Sequence, residues 1–375
     1  MPGTTVISIP VQIDGNQSVQ DLILDSGGSI TTNNGFNLSS ADDVFLFGNI
    51  NGARGASIGI TSVNGSIYVL GRIRAGDGID ATQEGTSGTN GGSVILSAPD
   101  GDIIILGNLQ SGRGGNGAGA INFPSPADCR GGNGGHGGKI NVTAKMITVN
   151  GGGIVSGDGG NGGYANSDGW TVEQWSTWIA EHWQSGGLTN LPPPPPEAPI
   201  VVTEAEGADP LLEARAGNAG NGGMITLMLN RDGTLGYTAP GVSITSGNGG
   251  NVEEAKAVRG VISHALVGIP GNAGDINYAI ELPGAGVWTV QSNDTPGVGG
   301  NTDNATTGSI NESISDIPKG GEGGKVNGIL GGGGARGNGG NVGTASATTS
   351  VCSNTDGPNQ GSAAGPGNAA FARCP

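Results

Sequence analysis

Apolar residues recur along this chain in short alternating runs that glycine-rich segments separate. The clearest copy lies at residues 91–112, where the runs SVILSA and DIIILGNLQ flank Pro99-Asp100-Gly101. Proline, aspartate and glycine between β-branched runs favour a turn between two short strands. Residues 65–76 and 137–144 repeat parts of the same phrase. A phrase that returns this often predicts a repeat protein whose units are β-strands.

The glycine that closes each apolar run gives the length of the repeat. Gly48, Gly71 and Gly107 close three successive runs, at intervals of 23 and 36 residues. A 23-residue unit holds two or three short strands with tight corners, as one coil of a parallel β-solenoid requires. The longer unit adds a loop at residues 77–90. Because strand side chains alternate between faces, we expect alternate apolar residues to fill the bore: Val94, Leu96, Ile103 and Ile105.

The repeat predicts an all-β fold: a right-handed parallel β-helix (β-solenoid) with glycine-rich corners and one helical and polyproline insertion. The handedness follows from the general rule that parallel crossovers are right-handed. Glycine makes up 79 of the 375 residues, but the strict Gly-X-Y period of collagen is absent. Disorder is disfavoured because a disordered tract has no reason to keep alternating apolar strands.

Glycine runs such as residues 131–138 and 157–163 flank the strands at similar places in the phrase. Glycine tolerates both signs of φ and close backbone approach. One explanation is that the runs form corners alone. The other is that they are extended, polyproline-II-like segments that pack side by side and exchange backbone hydrogen bonds. The sequence leaves both explanations open.

One segment interrupts the phrase and divides the chain. We predict an N-terminal solenoid part at 1–163, an inserted helix and polyproline arm at 164–216, a C-terminal solenoid part at 217–340, and a tail or cap at 341–375. The insertion combines a capping box at Thr171–Gln174, tryptophans at helical spacing and a stiff proline run at Pro192–Pro196.

Tryptophan residues of the insertion are the candidate partner- or glycan-binding side chains: Trp170, Trp175, Trp178 and Trp183. An exposed aromatic face of a helix would stack on sugar rings or dock a neighbouring subunit. The alternative is that the helix lies on the solenoid and buries these rings.

Charge and hydropathy exclude several classes of partner. The chain has 15 basic and 31 acidic residues, a net charge of −16. Such an acidic protein is not expected to bind nucleic acid or an anionic membrane. No apolar stretch reaches the length of a membrane span, and the N-terminus lacks the features of a secretory signal.

Cysteine, histidine and acidic residues predict little site chemistry. Cys352 and Cys374 form a candidate disulfide that does not include Cys129. Three histidines and three cysteines without close spacing do not make a zinc site. Acidic pairs in turns are the candidates for a structural calcium ion, Asp77 with Asp80 and Asp100 with Asp102. We otherwise expect no cofactor.

The two most complete phrases, at residues 91–117 and 137–163, resemble coils of the filamentous-haemagglutinin-like, pectin-lyase-like right-handed parallel β-helices of surface proteins. The resemblance implies an adhesin, a secreted matrix protein or a cell-surface array, and carries over no functional residue. The glycine runs are less closely similar to those of phage fibre-tip adhesins, in which glycine-rich segments pack as a sandwich.

Two sets of residues are candidates for catalysis. Asp42-Asp43 and Asp100 with Asp102 are paired carboxylates, but the second pair occupies a turn in which Asp is favoured for backbone bonding. Gly135-His136-Gly137 is similar to the GHG of polygalacturonases, and Asn354-Thr355-Asp356 to their NTD, but the order is reversed here. We therefore expect a non-enzymatic, extracellular or cell-surface β-solenoid that assembles with copies of itself into a filament or array. The alternatives are a β-helix that binds or cleaves a cell-surface polysaccharide, and a fibre or tip protein of a virion.

Overall fold

A computed structural model describes residues 3–121, 129–167, 211–257, 262–281, 286–303, 305–307, 311–314, 320–327, 338–341 and 345–347. Every regular element in these ranges is a β-strand. The strands pair in parallel with their equivalents in the coils before and after. The predicted stack of parallel coils is confirmed.

Each coil contributes strands to three faces around one apolar bore. The first face contains β3 (Gly15–Val19), β6 (Phe36–Ser40), β9 (Ile58–Ser62), the first halves of β12 (Val94–Ile105) and β16 (Ile140–Val149), β20 (Ile225–Leu229), β25 (Ile276–Ile280) and β30 (Val326–Asn327). The second contains β1 (Thr5–Ile7), β4 (Leu22–Leu24), β7 (Val44–Leu46), β10 (Ile67–Val69), the second halves of β12 and β16, β21 (Leu235–Thr238) and β26 (Val287–Val290). The third contains β2 (Pro10–Gln12), β5 (Ser29–Thr32), β8 (Asn49–Gly52), β11 (Arg72–Arg74), β13 (Asn108–Gln110), β17 (Gly153–Val155), β22 (Ser243–Thr245) and β27 (Asn293–Thr295).

Strand β12 differs from the sequence prediction of two separate strands. It runs through Pro99-Asp100-Gly101 as one element, and its register against β16 shifts between Ala98 and Asp102. The turn chemistry bends the strand from the first face to the second without ending it. Because β12 and β16 each serve two faces, these faces form one 14-stranded sheet.

The bore is filled by the side chains that the alternation predicted. Val94, Leu96, Ile103 and Ile105 are all fully buried. The repeat lengths are also confirmed, because Ile67 pairs with Val44 at an offset of 23 residues and with Ile103 at an offset of 36. Like residues stack on like residues in this way along the bore.

Beginning with the coil that contains β9, β10 and β11, the chain leaves the third face in one glycine-rich run and returns to the first face in a second. The outgoing runs are residues 76–81, 112–119, 157–163, 247–252 and 297–302, and the return runs are 86–92, 131–138, 217–223, 268–274 and 320–324. The two runs of a coil are antiparallel, because Gly138 donates to Gly112, Gly135 to Gly115 and Gly132 to Ala118 through their backbone groups. The runs form a flat arm, two layers thick, beside the bore.

Close backbone approach explains the glycines of the arm. A Cβ on Gly114 would lie 1.9 Å from the carbonyl oxygen of Gly135 in the other layer, and one on Gly115 would lie 2.0 Å from that of Ile79 in the coil before. None of the described glycines in the runs has a positive φ. Of the two explanations for the runs, packing side by side therefore applies here.

Single glycines occupy corners of the bore. Gly48, Gly71 and Gly107 stack where the second face turns into the third, and a Cβ on Gly107 would lie 1.8 Å from the carbonyl oxygen of Gly71. The corner explanation thus applies to these isolated residues.

A second, smaller core lies at the far end of the arm. Its strands are β14 (Ala120–Ile121), β18 (Ala165–Ser167), β23 (Ala255–Ala257), β28 (Ala305–Thr307) and β31 (Ala345–Ala347) in one sheet, and β15 (Cys129–Arg130), β19 (Leu211–Arg215), β24 (Ile262–Leu266) and β29 (Asn311–Ile314) in the other. Cys129 and seven alanines fill this core. The Cys129 thiol donates to the carbonyl oxygen of Ala120 at 3.1 Å, so this cysteine serves as a small core residue.

The array continues across the predicted insertion. Strands β18 and β19 lie within residues 164–216, yet β18 pairs with β14 and β23, and β19 pairs with β15 and β24. Strand β16, before the insertion, pairs directly with β20 after it. Residues 168–210 lie outside the described ranges.

Candidate functional site

The arm places every third residue of its runs at the surface. In GGNGGHGG (131–138) and DGGNGG (158–163), each non-glycine residue is followed by two glycines. The first glycine donates its backbone N–H to the next coil in the same layer, as Gly134 does to Asn218, and the second donates to the other layer, as Gly135 does to Gly115. Both glycine positions face backbone, so only the third position carries a side chain outward.

These outward residues form two columns on the outgoing face of the arm. The first column is Asp77, Arg113, Asp158, Asn248, Val298 and Asn338, and the second is Asp80, Asn116, Asn161, Asn251, Asn301 and Asn341. In the second column, each Asp or Asn Oδ1 accepts the backbone N–H of the next member, at 2.7–2.9 Å. The side chains thereby satisfy backbone donors that the glycine packing leaves at the surface.

The return face of the arm carries two further columns. The third is Ser87, Asn133, Asn218 and Ile269, and the fourth is Asn90, His136, Asn221, Asn272 and Glu322. Their side chains accept backbone N–H groups in the same way, at 2.7–3.1 Å. His136 takes the place of an asparagine, and its Nδ1 accepts the N–H of Asn221 at 2.9 Å.

An apolar stripe runs along the outside of the second face. Register stacks the half-buried Ile23, Phe45, Tyr68 and Ile104. The more exposed Phe47, Leu70 and Leu106 stack beside them, each about two-fifths exposed. The Phe45 and Tyr68 rings are parallel, with centroids 4.8 Å apart. Phe45 and Tyr68 thus cover one ring face of each other, while Phe47, Leu70 and Leu106 remain exposed beside them.

A polar cluster ends the apolar bore near the C-terminal coils. The inward row Ile73, Leu109, Ile154, Ile244 is continued by Asp294. The Asp294 carboxylate accepts the Tyr278 hydroxyl at 2.8 Å and the Ser292 hydroxyl at 2.6 Å. Burial raises the pKa of Asp294 above its ordinary value, and these two hydrogen bonds oppose the rise. Burial likewise raises the pKa of Tyr278, so its hydroxyl stays a donor.

The substitution Asp294→Asn is expected to stabilise the protein at neutral pH. Asparagine keeps a carbonyl oxygen for the Tyr278 hydroxyl and removes the cost of desolvating a charge. The pKa of Asp294 in the folded state is raised from its ordinary value of 3.8. The protonated carboxyl group therefore adds to the free energy of unfolding at pH values below 3.8, and this contribution is lost as pH rises through the raised pKa. Urea unfolding at several pH values should show a larger free energy of unfolding for the variant than for wild type at pH 7. This difference should become smaller as the pH is lowered. An equal gap at every pH would contradict this.

Three of the four acidic calcium candidates have partners for their carboxylates among the described residues. Asp77 accepts the N–H of Arg113 at 3.1 Å and pairs with Arg74 at 2.7 Å. Asp80 accepts the N–H of Asn116. Asp100 lies 3.6 Å from the Lys145 ammonium, and Asp102 donates its backbone N–H to Ser66. Among the described residues no three His, Cys, Asp or Glu side chains lie together as metal ligands would.

Several predicted site residues lie outside the described ranges. These are Trp170, Trp175, Trp178, Trp183, Cys352, Cys374 and the Asn354–Asp356 segment. The columns of the arm, in contrast, were missed in the sequence. Their signal was present as a period of three in the glycine runs, with Asn or Asp as the recurring third residue.

The comparisons with known proteins gave no match. No protein-family model matches this chain, and neither a curated protein nor a solved structure is significantly similar to it. Within the described ranges, no helix has the length and apolarity that a membrane span requires. The resemblance to filamentous-haemagglutinin-like proteins therefore stays a prediction from the repeat.

Proposed function

We propose that this chain is a non-enzymatic structural and adhesive β-solenoid that associates with copies of itself in an extracellular or cell-surface setting. A virion fibre or tip is the alternative setting for the same role. The observation that carries the proposal is the apolar stripe. Seven uncharged side chains of four consecutive coils, from Ile23 to Leu106, form it on the outside of a regular sheet.

The chemistry of the stripe favours a second copy as its occupant. A continuous exposed apolar surface such as this stripe is typical of protein interaction sites. The ring faces of Phe45 and Tyr68 are stacked on each other, which leaves Phe47 as the one ring of the stripe on which a sugar could stack. Two identical stripes can instead pack against each other about a two-fold axis, the commonest symmetry of homo-oligomers.

The use of His136 supports the non-enzymatic part of the proposal. Nδ1 of His136 is engaged by the backbone N–H of Asn221 at 2.9 Å, and the residues on both sides, Gly135 and Gly137, are in the backbone packing of the arm. This histidine has a structural use that needs no catalysis.

Charging the stripe tests self-association. The double substitution Phe47→Asp with Leu70→Asp is expected to abolish association, because four carboxylates, two from each copy, would have to be desolvated in each interface. Light scattering and sedimentation velocity over a range of concentrations measure the effect. The matched control is Ile95→Asp, an exposed isoleucine on the first face, which should associate like wild type.

Two results would overturn the proposal. One is a wild-type chain that stays a monomer at the highest concentrations tested. The other is a stripe variant that folds and still associates with unchanged affinity. A loss of association in the Ile95 control as well would show that added charge, and not the stripe, is responsible, and this too would count against the proposal.

A further inference from the structure

The two columns of the return face contain no Lys, Arg, Asp or Glu over four consecutive coils, and they lie between the exposed Arg130 and Arg215 on one side and Lys139 on the other. The columns there consist of Ser87, Asn90, Asn133, His136, Asn218, Asn221, Ile269 and Asn272. Nδ1 of His136 accepts a hydrogen bond from the backbone N–H of Asn221. The outgoing face differs in the first three of these coils, where its columns contain Asp77, Asp80, Arg113 and Asp158.

The asparagines of the return face hold their amide groups in fixed orientations. Oδ1 of Asn133 accepts the N–H of Asn218 at 2.9 Å, and Oδ1 of Asn218 accepts that of Ile269 at 2.8 Å. Asn221 and Asn272 make the same bond to the next coil, at 2.9 and 2.8 Å. Because the carbonyl end is held, the Nδ2 donors are oriented before any ligand arrives, which lowers the entropy cost of binding.

These Nδ2 groups have no acceptor among the residues that the structure describes. All four asparagines are exposed. No described residue accepts a hydrogen bond from Nδ2 of Asn133, Asn218, Asn221 or Asn272. They recur once per coil, about every 4.8 Å along the stack, over a surface that the intervening glycines keep flat.

From these observations we propose that the return face binds a neutral polysaccharide that lies along the coil axis. Hydroxyl and ring oxygens of a sugar chain supply the acceptors that a row of fixed donors requires, and one coil is of the order of one sugar unit in length. Nucleic acid is disfavoured, because the columns offer no cation for its phosphates. A protein partner is disfavoured, because the columns offer no aromatic anchor. The proposal rests on the adhesive part of the proposed function and names its ligand class.

Replacing asparagine by aspartate should remove the Nδ2 donors of the return face and preserve the fold. Aspartate occupies equivalent positions on the outgoing face, where Asp80 and Asp158 accept the backbone N–H groups of Asn116 and Asn248 at 2.7 Å. A triple variant with Asn133→Asp, Asn218→Asp and Asn221→Asp therefore keeps the acceptors and loses three outward donors. The matched control makes the same change on the outgoing face: Asn161→Asp, Asn251→Asp and Asn301→Asp.

Binding is measured for the full-length protein with dextran, a soluble β-glucan and galactomannan as neutral probes and alginate as the anionic comparison. Wild type is expected to bind at least one neutral probe better than alginate. The return-face variant should bind that probe on the order of a hundredfold more weakly, because three net hydrogen bonds are lost. The outgoing-face control should bind within about twofold of wild type.

The proposal is overturned if wild type binds none of the neutral probes, if alginate binds as well as they do, or if the return-face variant keeps wild-type affinity. Equal losses in both variants would also overturn it, since charge alone would then explain the result. Self-association is measured separately through the stripe. A chain that associates without binding polysaccharide would overturn this inference and leave the proposed function standing.

Discussion

Replacing Gly160 by alanine is expected to destabilise the protein by about 3 kcal/mol, the upper part of the range for overpacked sites. A Cβ at this position would lie 2.0 Å from the carbonyl oxygen of Gly115 in the coil below. Relief requires the two outgoing runs to separate. That movement would also weaken the hydrogen bond from Gly160 N–H to the Gly135 carbonyl oxygen in the other layer. The midpoint of urea unfolding measures the loss.

Gly153→Ala is the matched control for this prediction. Gly153 lies in β17 of the same coil, its φ is not positive, and the nearest atom to an added Cβ is 3.3 Å away. We expect a change within about 0.5 kcal/mol there, as at ordinary surface sites. If both alanines were tolerated equally, the two-layer packing of the arm would be wrong.

Leu96→Ala is expected to destabilise the protein by about 3 kcal/mol, because it removes three buried carbons and leaves a cavity. Leu96 is fully buried and stacks between Ile60 and Val142 of the neighbouring coils. These neighbours are held by backbone pairing on both sides, so the bore cannot collapse easily into the space. Urea unfolding again gives the measurement.

Ile95→Ala provides the control for the bore. Ile95 is the adjacent residue of β12, but its side chain points outward and is 45% exposed. A loss below about 1 kcal/mol is expected there. Similar losses at both positions would contradict the alternation of inward and outward side chains on which the fold depends.

The fold could be predicted from the sequence where side chains alone specify it. The spacing of Gly48, Gly71 and Gly107 gave the coil lengths, and the alternation in β12 gave the residues of the bore. The position of the turn at Pro99-Asp100-Gly101 was predicted correctly, but the prediction that it separates two strands was wrong. A bend within one strand and a turn between two strands use the same residue types. Within the bore, local pattern and tertiary packing agree.

The surfaces proposed to function could not be predicted in the same way. Phe47, Leu70 and Leu106 are far apart in sequence, and only the coil register brings them into one stripe. Asn133 and Asn218 are 85 residues apart, yet they are joined by one hydrogen bond. Such contacts are long-range, and each residue alone looks like an ordinary polar or apolar position.

The sequence by itself determined that short parallel strands stack in coils and which side chains line the bore, because burial of alternating apolar residues leaves a periodic record in the chain. Only the tertiary structure decided that the glycine runs pair into a two-layer arm and that their recurring third residues stack into columns on its faces. Glycine is required both where backbone segments pack against each other and where the chain turns a simple corner, so the residue type does not distinguish the two. The difference lies in which distant run supplies the facing carbonyl oxygens, and no local pattern encodes that choice.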